Sequence, residues 1–154
     1  MKNMMESQNQ LGNKHPDSDI IFNIKKYLRK EHHIRASQIL IECRILFHNN
    51  SYDIFKPQKK DQPRYIRGLT HTPDITVVND EDDIVFIVEQ DGKIHDLVEF
   101  TKKDKLRNYH YTSAGIPYII LKSSQIRSNQ ICMAECLDSE LERLGLRKPA
   151  GLHL

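Results

Sequence analysis

The stretch Pro73-Asp74-Ile75-Thr76-Val77-Val78-Asn79-Asp80-Glu81-Asp82-Asp83-Ile84-Val85-Phe86-Ile87-Val88-Glu89-Gln90-Asp91-Gly92 decides how this chain folds. Asp74 to Val78 is a strand-forming run, β-branched from Ile75 onward, entered after a proline. Asn79 to Asp83 is polar and turn-forming, and Ile84 to Glu89 is a second strand-forming run, apolar as far as Val88. Two such runs around a short polar turn predict an antiparallel hairpin. Ile84 to Val88 is apolar at every position. That marks a central strand covered on both faces, since a half-solvated strand alternates.

Working outward, Gly92 closes the second strand. A helix is predicted between Lys102 and Ser113, stopped near Gly115 and Pro117. Tyr118 to Leu121 is the next strand, so strand, helix and strand form a parallel crossover. A last amphipathic helix runs from about Asn129 to Leu144. Upstream of the hairpin, Asp17 or Ser18 caps a helix reaching Lys30. Ala36, Ile39, Leu40, Cys43 and Phe47 recur at helical spacing and predict a second helix over Ala36 to His48. Tyr52 to Phe55 reads as a short strand. Lys56 to Arg67 reads as a basic, proline-bearing loop, with a further strand at Tyr65-Ile66.

A length of 154 residues suits one domain with one core. Residues 1–14 read as a flexible polar tail, and 15–154 as a single domain. No apolar run approaches the roughly 20 residues of a membrane span, and the N-terminus lacks a secretory stretch. The expected location is cytoplasmic. The 23 basic and 21 acidic residues leave a net charge of +2, so any nucleic-acid role must rest on where charge is placed. Cys43, Cys132 and Cys136 form no Cys-x-x-Cys pair and read as buried free thiols.

Chemistry concentrates at one end of the hairpin. Side chains alternate across a strand, so Glu89 and Asp91 share a face, roughly 7 Å apart. Asp74 opens the partner strand at the same end, away from the turn. Three converging carboxylates repel one another. A divalent cation relieves that cost, and an all-oxygen donor set suits Mg²⁺ or Mn²⁺. The plainer reading is that acidic residues simply mark solvent-facing strand ends. Lys59, Lys60, Arg64 and Arg67, just upstream of Asp74, are candidates for neutralising phosphates, or else a solvated loop.

Pro73-Asp74 together with Val88-Glu89-Gln90-Asp91-Gly92-Lys93-Ile94-His95 resembles the PD-(D/E)xK nuclease superfamily, in particular the branch related to very-short-patch-repair endonucleases. The similarity continues through Lys103 to Tyr109 and Ala114-Gly115-Ile116-Pro117-Tyr118, and covers Pro73 to Leu121. It implies an α/β, restriction-endonuclease-like core of helix, three-strand meander, helix and strand, with Ala36 to His48 as leading helix. It further implies that Asp74 and Glu89 are metal ligands, with Asp91 standing where the wider superfamily places a lysine. His95 is the candidate for orienting or moving a proton, against an ordinary turn histidine. Glu42 is the candidate carboxylate of the leading helix, against a salt bridge with Arg35 or Arg44. Lys105 and Arg107 on the following helix, and Lys93, are candidates for reaching a phosphate.

The expected activity is therefore Mg²⁺- or Mn²⁺-dependent hydrolysis of DNA phosphodiesters by an endonuclease of repair, branched-DNA processing or defence. The partner expected is DNA, with a homodimer as the candidate assembly and no membrane or organic cofactor involved. The alternative is a nucleic-acid-binding protein on the same fold that no longer cuts. A third reading is an assembly protein with no nucleic-acid role.

Overall fold

The computed structural model of the chain describes residues 18–56, 66, 68–91, 98–122 and 130–146. The elements are α1 (Ser18–Glu31), a 3-10 turn (Ala36–Gln38), β1 (Ile39–Ile41), β2 (Arg44–His48), β3 (Ser51–Phe55), β4 (Thr70–His71), β5 (Ile75–Val78), β6 (Ile84–Asp91), α2 (Val98–Ser113), β7 (Tyr118–Lys122) and α3 (Gln130–Arg143). The chain is α/β. A mixed four-stranded sheet has the order β1-β5-β6-β7, and a smaller three-stranded sheet has the order β3-β2-β4. The predicted tail, residues 1–14, lies outside the described residues, as does Tyr65 of the strand expected there.

The deciding hairpin forms as its sequence predicts. β5 and β6 pair antiparallel, with Ile75 opposite Val88 and Val77 opposite Phe86. Asn79 organises the turn. Its side-chain oxygen accepts from the backbone N–H groups of Glu81 and Asp83, both at 2.9 Å, as short polar side chains do in turns. β6 pairs in parallel with β7 on its other side, and is therefore central. Its two faces feed different clusters. Phe86 and Val88 pack with Ile24 and Leu28 of α1 and with Leu137 and Leu141 of α3. Ile87 packs with Tyr111 of α2 and with Ile45 and Phe47 of the small sheet.

α2 ends where glycine allows it. Gly115 sits at φ +71°, while Ile116 N–H donates to Tyr111 C=O at 2.9 Å and Gly115 N–H to Thr112 C=O at 3.1 Å. That pair of bonds satisfies carbonyls the helix end would leave open. The chain then enters β7, and Pro117 C=O accepts from Ile87 N–H at 2.9 Å.

The predicted helix over Ala36 to His48 is not a helix. The segment is a single 3-10 turn and two short strands that reverse at Glu42, a residue at φ +53°. Ile39 and Leu40 are buried one after the other, and β2 then alternates, with Ile45 and Phe47 inward. A helical spacing arose because two strands of different burial pattern lie end to end across a turn. The leading helix of the fold is α1. All three cysteines are free, but only Cys43 is fully buried, with Cys132 and Cys136 half-buried. No helix among the described residues is long and apolar enough to cross a membrane.

Candidate functional site

The hairpin register sets Asp74 across from Glu89, at the end of the sheet remote from the turn. Each carboxylate accepts a backbone N–H from across the hairpin. Asp74 N–H donates to Glu89 Oε1 at 3.2 Å, and Gln90 N–H donates to Asp74 Oδ2 at 2.7 Å. Each carboxylate is thus oriented by the opposite strand, a geometry that only the antiparallel pairing provides.

α2 closes over this end. Arg107 and Tyr111, one helical turn apart, share a face. The Tyr111 hydroxyl donates to Glu89 Oε2 at 3.0 Å. Arg107 Nε lies 3.5 Å from the same oxygen, and Arg107 Nη1 lies 3.3 Å from Asp104 Oδ1. Glu89 is 8% exposed, which makes its charge costly. Burial pushes its pKa up to about 7. Arg107 opposes that rise, and the Asp74 charge adds to it. Burial, and then Glu89, also raises Tyr111 well above the ordinary tyrosine range, so its hydroxyl stays a donor.

A histidine pair lies beside the site. His71 of β4 and His110 of α2 have ring centroids 5.4 Å apart, and both pack on Phe47. His110 Nε2 donates to Gly68 C=O at 3.0 Å. His71 Nε2 is buried and, among the described residues, has no hydrogen-bond partner. Burial, followed by His110 and Arg107, pushes His71 down to about 4, so its ring is neutral at physiological pH.

The other predicted site residues divide clearly. Asp91 closes β6 through its backbone, and its side chain lies outside what the structure describes. Lys59, Lys60, Arg64, Arg67, Lys93 and His95 lie outside the described residues. Lys105 is exposed on α2. Glu42 is corrected: it sits in the β1–β2 reversal rather than on a helix, with an exposed side chain. Its backbone N–H donates to Asp74 C=O at 3.3 Å, so it abuts the site through main chain alone. The sequence reading missed Tyr111, His71 and His110. Spacing from Arg107 would have pointed to Tyr111, whereas nothing local marks His71, which arrives through the small sheet.

Among the described residues, no group of three or more His, Cys, Asp or Glu side chains is placed to hold a metal. Asp74 and Glu89 do supply hard oxygen donors. Glu89 Oε1 accepts one described hydrogen bond, from Asp74 N–H, and a carboxylate oxygen has room for a second contact. No family model, curated protein or solved structure matches the chain.

Proposed function

We propose that this chain is a metal-dependent nuclease of the PD-(D/E)xK kind, acting on DNA phosphodiesters. The observation that carries the reading is the cross-strand lock between Asp74 and Glu89. It places two oriented carboxylates at one sheet end, beneath an arginine. The chain order of the main sheet and its neighbours supports it: a helix, three antiparallel strands with a small sheet inserted after the first, a helix and a parallel strand.

Asp74 and Glu89, joined by Asp91, would hold Mg²⁺ or Mn²⁺, which when bound supplies Lewis-acid activation of water and neutralisation of a phosphate. The chain's own residues do the rest. Gln90 N–H and Asp74 N–H orient the two carboxylates, and Tyr111 holds Glu89 by Oε2. Arg107 offers guanidinium donors to a non-bridging phosphate oxygen. Lys105, exposed two residues before Arg107 on α2, is the proposed contact to more distant backbone. His95 and Lys93, between β6 and α2 in the chain, are the proposed proton-handling and phosphate-binding groups.

A second reading, nucleic-acid binding without cutting, is favoured by one observation. Glu89 already receives Asp74 N–H, the Tyr111 hydroxyl and the Arg107 charge, and so needs no ion to be tolerated. A cleavage assay with Mg²⁺ and with Mn²⁺ on single-stranded, duplex, mismatched and branched DNA separates the two. The nuclease reading expects cleavage of at least one substrate. It expects Asp74→Asn and Glu89→Gln each to slow cleavage by roughly 10³-fold, about 4 kcal/mol of barrier, while DNA binding persists. Binding with no cleavage under either metal would support the second reading.

A further inference from the structure

The outer face of α1 carries a feature that the carboxylate site does not use. Ile24 and Leu28 point into the core and are fully buried. The opposite stripe presents Phe22, Lys26, Arg29 and Lys30, with half-buried Lys25 beside them. Phe22 is 67% exposed. Among the described residues, none of these four cations forms an ion pair.

Two concavities flank the stripe and share Lys26 and Arg29 as a common wall. One runs past Lys30 to His33 and Arg35. The other, about 790 Å³, is lined by Phe22 and Lys25 and ends at Ile41 and Glu42. Its volume lies within the roughly 300–1,000 Å³ of typical ligand sites. Its far wall adjoins the candidate site, since Glu42 N–H is bonded to Asp74 C=O. Asp19 and Glu42 at the rim of this groove offset part of the charge, but the two concavities together remain cationic.

We propose that this stripe is a docking surface for single-stranded nucleic acid, with Lys26, Arg29 and Lys30 against phosphates and Phe22 stacked on an unpaired base. The surface deepens the nucleic-acid reading above and rests on it. The composition favours this occupant. Exposed cations at helical spacing suit a polyanion with a charge at every unit. A single exposed ring among them suits one stacked base, because sequence-independent single-strand sites combine a basic groove with aromatic platforms. An interfacial membrane helix instead presents a broad apolar face, and here that face is spent on the core.

The test is fluorescence anisotropy of the full chain, carrying Glu89→Gln and in EDTA, with a labelled single-stranded oligonucleotide and the matching duplex. Lys26→Gln/Arg29→Gln/Lys30→Gln should reduce the slope of log K against log salt by about 2 for the single strand, at about 0.7 per phosphate contact. Phe22→Ala should weaken single-strand binding at least about fivefold and leave duplex binding unchanged. All four positions are solvent-facing, and thermal melts verify folding. Unchanged affinity and salt slope in both variants would overturn the proposal, as would binding to phosphatidylserine vesicles with none to oligonucleotides. If wild type cuts DNA while the variants bind normally, the surface fails and the nuclease reading stands. If the stripe binds but no metal permits cutting, the reverse holds.

Discussion

At the residue scale, buried Glu89 and half-buried His71 are titratable groups with opposite consequences for stability. The Glu89 carboxyl moves from an ordinary 4.5 to about 7 on folding. Between those values the folded protein keeps a proton that the unfolded chain has released. This group therefore weakens folding as pH rises through that window, by up to roughly 3 kcal/mol at 1.36 kcal/mol per unit. His71 moves from 6.5 to about 4. The unfolded chain there binds the extra proton, so its contribution is lost as pH falls from 6.5 towards 4. The two windows overlap and their signs oppose, so denaturant melts of metal-free wild type across pH 4 to 8 should show little net slope from this pair. Glu89→Gln should unmask stability that rises with pH, and His71→Gln stability that falls with it. Parallel curves for wild type and either variant would show that the group in question is not buried as described. The carboxylates themselves were legible in the sequence because strand alternation assigns them a face. Their hydrogen bonds to the opposite backbone were not, because those depend on the exact register.

At the scale of elements, the hairpin, α2, β7 and α3 form where periodicity and punctuation put them. Each depends on a local rule strong enough to survive packing, such as the glycine that ends α2. Gly115 tests that rule cleanly. It adopts φ +71°, and a Cβ there would meet nothing within 4 Å. The cost of Gly115→Ala is thus backbone strain alone, about 1 kcal/mol, to be read as a lowered denaturation midpoint with unchanged m-value. A loss of several kcal/mol would point to a different helix end. The segment from Ala36 to His48 shows the opposite case. Its apolar spacing fits a helix, yet Ile39, Ile41 and Ile45 are β-branched, and β5 offers an open edge to β1. Pairing with that edge overrode the period, and it moved Glu42 from a helix face to a tight reversal.

For the molecule as a whole, the main sheet is sandwiched, and a polar clasp ties the two helices on one side. Asp138 of α3 accepts from the Tyr27 hydroxyl at 2.5 Å and from His32 Nε2 at 2.8 Å. Burial and then Asp138 raise the Tyr27 pKa above its ordinary value. The clasp connects residues more than 100 positions apart, and it anchors the helix that bears the basic stripe. Asp138→Ala would leave the buried His32 donor unmet, at about 2 kcal/mol. Amide exchange in α1 and α3 should then speed up together. Faster exchange in α3 alone would mean that α1 is held by its apolar face without the clasp.

By itself the sequence determined an α/β chain, a central hairpin and the carboxylates at its open end. Those follow from the two-residue alternation of strands and from turn chemistry, both of which act over a few neighbours. Only the tertiary structure decided that Tyr111 and Arg107 cover Glu89, that His71 lies beside His110, and that the leading helix is α1. Such contacts join segments far apart in the chain, and their free energy comes from burial and register, which no local window contains.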